Sequence, residues 1–341
     1  MKKKSIRAFV LEWVTKILKD KELEVICQPE EIKEVQETPK EEVQPEEKII
    51  PPIMIEEIRK NPSSKLKNKK PTDLTTLSFD QRDIMEIMGV PLVSLSKNRT
   101  APIIYDDGKF KLKISCHPPH YIASIYDWDI IQFVAGKMQK IMNSGEDIPP
   151  RTIVFPRHEL FKAIHKQDGK KQHKDIKSSL SRLQTTVIET TIHNEDGRYD
   201  AGFGLLDSWG YTNRRDIKEI KITLSNWLYE VVCTKGALLK VQKEYFDVTS
   251  GLKKMLYRIA RKHVGVQNYS WDFSIEDLHK KSGSERDLRK FKHDLKKVVS
   301  DNDLPDYLLA LVNEDGKIFI RFINKIKYLE ETLKKSNFLS K

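Results

Sequence analysis

Two stretches concentrate side chains able to grip an anion. In SERDLRKFKHDLKKV (284–298), six cations stand against three acids. The apolar residues Leu288, Phe291, Leu295 and Val298 fall at helical spacing, so a buried stripe leaves the basic residues on the remaining faces. Arg286, Lys290, His293 and Lys297 recur at offsets that share one face, with Arg289 and Lys296 beside it. Ser284 is the expected cap and Asp287 sits at the capping-box position, which would turn the partly positive helix start toward a phosphate. KKQHKDIKSSLSRLQTT (170–186) has the same design, with Ile176, Leu180 and Leu183 inward and Lys170, Lys171, Lys174, Lys177 and Arg182 outward. Its Ser178 and Ser181 are small enough for close approach. Long donors on an exposed helix face are what reading bases and phosphates in a major groove requires. In YRIARKH, Arg258, Arg261 and Lys262 are further candidates for phosphate contact, and Ser282 lies in the turn before the second basic helix.

Other chemistries are poorly supplied. No GxxxxGK[ST] loop, HExxH or paired CxxC occurs in the 341 residues. CHPPH (116–120) groups Cys116, His117 and His120 but lacks a second ligand set, so no metal is expected. Asp127 and Asp129 in DWD are two apart and face away from one another on a helix, which favours capping over catalysis. No cofactor and no catalytic residue is expected, and the chain reads as a non-enzyme.

The elements that must hold these residues follow from periodicity. Helices are expected at 79–89, 127–143, 158–165, 170–186, 225–232, 251–265, 273–284 and 284–298; strands at 109–115, 151–156, 187–194 and 217–224; and a hairpin over 304–324. An order recurs at about 127–194 and 251–324: helix, short helix, turn, long basic helix, then strand or hairpin. That is the order of a winged helix. The fold class is therefore α+β with two tandem winged-helix domains, at 78–235 and 236–326, followed by a tail at 327–341. Before them, residues 1–27 form an amphipathic basic helix and 28–77 a flexible, disordered linker rich in Glu, Pro and Lys.

The net charge of +11 suggests an anionic partner, and three scattered cysteines suit a reducing cytoplasm. No apolar run approaches the ~20 residues that span a bilayer. The N-terminal helix would dock on a partner protein or, as an alternative, on a membrane surface.

Several segments together resemble the plasmid replication initiator protein A family: IASIYDWDIIQFVAGKM, HKDIKSSLSRLQTTVIETTI, ITLSNWLYEVV, KEYFDVTSGLKKMLYRIARKHVG, SIEDLHKKSGSERDLRKFKHDLKKVV and DNDLPDYLLALV. They keep one order between about Val90 and Arg321. Lys137 and Gln139 depart from more apolar or small positions of that family, and 195–216 reads as an irregular loop. The resemblance implies a protein that binds repeated double-stranded origin DNA (iterons) and recruits host machinery: a helicase, its loader or the chromosomal initiator. A monomer and a homodimer both fit. By the same resemblance, 282–297 and 170–182 would be the two reading heads. A transcriptional repressor of the same fold is the alternative.

Overall fold

The computed structural model describes residues 80–339 apart from 109, 145–147, 195–196, 213–217, 266–267 and 315–316. The expected N-terminal helix and linker lie outside the described residues.

Two units in the chain share one wiring. In the first, helix α1 (Trp128–Asn143) leads to strand β4 (Thr152–Pro156), helix α2 (Arg157–Ala163) and helix α3 (Lys170–Thr185). Strands β7 (Leu206–Tyr211) and β8 (Glu219–Leu224) then complete a sheet in the order β4-β8-β7. In the second, helix α5 (Gly251–His263) is followed by strand β10 (Ser270–Ser274) and helices α6 (Ile275–Ser282) and α7 (Leu288–Asp301). The hairpin β11 (Tyr307–Glu314)/β12 (Lys317–Asn324) closes a sheet in the order β10-β12-β11. In both, the last strand lies between the other two and every pairing is antiparallel.

The first unit differs by an insertion. The chain passes from α3 straight into strand β5 (Thr186–Asn194), turns into β6 (Gly197–Gly204), and only then reaches β7. With β2 (Ile103–Asp106) and β3 (Phe110–Cys116) these build a separate sheet, β2-β3-β5-β6. The strand expected at 187–194 therefore exists but is not the wing. The stretch expected to be irregular holds β6 and β7, which complete that sheet and the first unit's sheet.

Local chemistry sets most boundaries. Ser225, Ser250 and Ser274 accept backbone N–H bonds at the starts of α4 (Asn226–Cys233), α5 and α6. A helix was expected at 79–89; instead Arg82–Ile84 is strand β1, followed by a 3-10 turn at Glu86–Gly89. Strand β9 (Leu238–Lys240) supplies the reason, because its backbone pairs with β1 over that whole length. The expected C-terminal tail is largely helix α8 (Lys325–Leu339).

One continuous apolar core runs through both units, from Ile84 and Trp128 to Leu256, Phe291 and Phe322. Two buried ion pairs cross it. Asp83 on β1 accepts from Trp128 Nε1 (2.9 Å), Gln132 Nε2 (2.8 Å) and Arg258 Nε (2.6 Å). One turn earlier on α5, Lys254 Nζ donates to both oxygens of Asp129 at 2.8 and 2.9 Å, and lies 4.1 Å from the Tyr245 ring centroid. The pattern Lys254/Arg258 (i, i+4) thus meets carboxylates of the first unit. Asp129, read from sequence as a capping residue, is a core ion-pair member instead. The apparent mismatch of Lys137 resolves likewise: it is buried against Glu159 of α2 at 2.5 Å. Gln139 donates to Asn143 at 2.9 Å.

Burial pushes the Asp129 carboxyl from an ordinary 3.8 up to about 6, against the opposing pull of Lys254. Between about pH 4 and 6 the folded chain therefore holds a proton there that the unfolded chain has lost. The resulting stabilisation is full below about pH 4 and disappears as pH rises through about 6. Asp129→Asn should remove this decline, read as a flatter urea midpoint from pH 4 to 7 than in the wild type. Lys254→Met strands a buried carboxylate and should cost about 3–5 kcal/mol in urea denaturation at pH 7.

Candidate nucleic-acid interface

Helix α7 begins four residues later than its sequence suggested. Asp287, not Ser284, is the cap, accepting from Lys290 N at 2.8 Å. Ser284 accepts from Arg286 N (3.1 Å) in the turn before the helix, and Arg286 lies there too, 3.2 Å from Asp294. Leu288 is exposed, and only Phe291, Leu295 and Val298 form the buried stripe. The stripe fixes the rest. Arg289, Lys290, His293, Lys296 and Lys297 face solvent. Among the described residues no acid pairs with Arg289, Lys296 or Lys297, while Lys290 reaches Asp287 at 3.1 Å. These side chains are available to an anionic ligand.

Helix α3 buries Ile176, Leu180 and Leu183 as expected and exposes Lys170, Lys171, Lys174 and Lys177. Lys177 lies over the Tyr211 ring of β7, 4.9 Å from its centroid. Ser178 is partly exposed. His173 bonds Asp168 and stacks on Phe161, which braces the start of the helix against α2.

Three candidate contacts face inward. Arg182 grips Asp127 through two bonds (2.8 and 2.7 Å), and Asp127 also accepts from Ser124 N and Oγ. Asp127 does not cap α1 with its side chain. Arg258 is buried on Asp83, and Ser282 is buried between the carbonyl of His279 and the N–H of Ser284. Arg258 and Ser282 are buried and satisfy polar groups inside the fold, and Arg182, partly exposed, is committed to Asp127. Arg261 and Lys262 are half-buried: Arg261 Nε donates to the Lys240 carbonyl at 2.9 Å, and Lys262 lies against the turn at Gly89. In the CHPPH stretch, Cys116 Sγ donates to the His120 carbonyl (3.1 Å).

Sequence reading missed the floor beneath α7. Gly283, at the end of α6, adopts φ +58°, and a Cβ there would lie 2.8 Å from Pro91 Cβ and 3.0 Å from Ile103 Cγ2. The turn around Ser282 and Gly283 is legible in the sequence; its contact with residues near the start of the described chain is not.

Two units of like wiring, each presenting one lysine-rich helix ahead of its closing strand pair, with β5 and β6 inserted between them in the first, define a tandem helix-hairpin protein. Domains 2 and 3 of RctB share this fold: their crystal structure superposes with a TM-score of 0.54 at 13% identity, covering 70% of this chain and 97% of that one. The replication initiator protein A family model matches residues 82–309. A Wigglesworthia glossinidia brevipalpis protein named for replication is 32% identical over 255 residues, spanning 73% of this chain and 90% of its own length. The chain belongs to the replication initiator protein A family. No helix among the described residues is long and apolar enough to cross a membrane.

Gly283→Ala should destabilise the fold by about 1–3 kcal/mol, through left-handed backbone strain added to the collision with Pro91. Thermal unfolding measures this; Gly108→Ala, at a positive φ with open space around it, should cost less.

Proposed function

We propose that the chain starts plasmid replication by binding repeated origin sequences through two winged helices. Each lays its basic helix, α3 or α7, in a major groove. The observation that carries this reading is the equivalent position of two exposed cationic helices in two units that share one wiring apart from the β5–β6 insertion in the first. Successive major grooves on one face of a duplex lie about 10.5 bp apart, so two heads cover a site of roughly 20 bp. Several copies on adjacent repeats would bend the duplex and strain neighbouring AT-rich DNA, lowering the cost of opening it.

The protein supplies no catalytic step in this scheme; it supplies position. Arg289 and Lys290, in the first turn of α7, are the bidentate and phosphate-directed donors nearest the groove floor, while Lys296 and Lys297 extend along the backbone. On α3 the corresponding role falls to Lys170, Lys171, Lys174 and Lys177. Host proteins (a helicase, its loader or the chromosomal initiator) then assemble on the opened origin, and residues 1–27 are their docking segment.

Duplexes selected by the protein from a random pool provide the test, followed by footprinting on DNA flanking its gene. Arg289→Ala should weaken the selected site by about 1–3 kcal/mol and relax the preference at one base position. Lys296→Ala should weaken selected and random DNA alike and reduce the salt slope by about one. Equal losses on both DNAs for every variant would contradict sequence reading by α7.

A further inference from the structure

The segment between β1 and β2 belongs to the first unit by position, yet it forms the seat of the second unit's basic helix. Arg99 is its centre. The side chain is buried and each of its three guanidinium nitrogens donates to a backbone carbonyl. Nε donates to the Ala101 carbonyl (2.8 Å), Nη2 to the Pro102 carbonyl (3.0 Å), and Nη1 to the carbonyl of Gly283, 184 residues further along. The first two bonds fold the 99–102 stretch around the guanidinium and aim its third arm. That arm holds the turn between α6 and α7.

Other contacts reinforce the same seam. Pro91 and Ile103 press on Gly283, leaving no room for a side chain. Glu285, in the turn before α7, lies 3.7 Å from Arg99 Nε and accepts from Ser96 Oγ at 3.4 Å. At the start of α5, Gly251 approaches the Leu95 carbonyl so closely that no Cβ would fit, and Tyr126 OH donates to the Thr249 carbonyl at 2.6 Å. The 91–103 segment therefore touches both ends of the helix pair that carries α7: the start of α5 and the α6–α7 turn.

We propose that Arg99 is a positioning residue that fixes α7 relative to α3, so that the protein reads two half-sites at one set spacing. This rests on the function proposed above. Arginine suits the role because its planar fork can point three donors at three carbonyls at once, and a lysine ammonium on a flexible stem cannot hold the same geometry. Arg99 faces carbonyls and Glu285, not solvent, so its effect on DNA passes through the position of the helix.

The first measurement needs no DNA. Spin labels at Lys171→Cys and Lys297→Cys, in a chain with its three natural cysteines replaced by serine, report the distance between the two helices. The unmodified Arg99 chain should give one narrow distance distribution, and Arg99→Lys a broadened one. A broad distribution with Arg99 intact overturns the proposal, whether or not the variant folds. The second measurement uses a duplex selected from a random pool, with 1–5 bp inserted between its half-sites. The wild type should lose at least 10-fold in affinity on the lengthened sites. Arg99→Lys should bind the unaltered site 5–30-fold more weakly, yet lose less than 3-fold on lengthening it. If Arg99→Lys matches the wild type's spacing preference, Arg99 does not set it. Failure to select any duplex would sink the DNA-binding reading instead, and leaves the distance measurement to judge the clamp.

Discussion

The bond between Arg258 and Asp83, with its neighbour Lys254–Asp129, is the constraint on which the rest of the architecture depends. Both pairs are buried, and both join α5 of the second unit to the first. A buried charge pair is rarely a strong source of net stability, since desolvation offsets most of the attraction. Its physical effect is selectivity. The placement of α5 gives each of two buried carboxylates its cation, Arg258 for Asp83 and Lys254 for Asp129. A purely apolar seam would tolerate sliding; this one penalises any shift by exposing a charge to an oily environment.

That constraint reaches the surface through short mechanical steps. Strand β1 brings Asp83 to Arg258 and is itself fixed by pairing with β9. The chain after β1 delivers Arg99 to the turn in front of α7. Helix α1 carries Asp129 at its start and, just before it, Asp127, which pins Arg182 on α3. Each basic helix is thus anchored by an inward arginine or carboxylate network, while its lysines face outward. On α3 the inward cation is a guanidinium whose fork fits the Asp127 carboxylate, while the exposed Lys170, Lys171, Lys174 and Lys177 keep flexible ammoniums for a ligand of variable path.

Much of this was legible from sequence where the signal was local. Apolar periodicity located α3 to α7, and the structure adds serine caps at the starts of α4, α5 and α6. Misreadings arose where a distant segment decided the outcome. Residues 82–84 look helical by spacing, but β9 claims their backbone. Arg182 and Arg258 look like surface cations until Asp127 and Asp83, 55 and 175 residues away, are seen beside them. A basic residue four positions from another is compatible with solvent or with a buried acid, and composition cannot separate the two. The seat under α7 had no sequence signature, because Arg99 bonds to backbone carbonyls and any residue type can supply those.

The direct passage from α3 into β5 carries a mechanical meaning. No loop separates Thr185 from Thr186, so the helix has no slack at its C-terminal end. The start of β5 is fixed to the end of α3, and its ladder hydrogen bonds tie it through β3 to β2 at the edge of the four-stranded sheet. The lysines of α3 and the four-stranded sheet thus belong to one covalently continuous, hydrogen-bonded body.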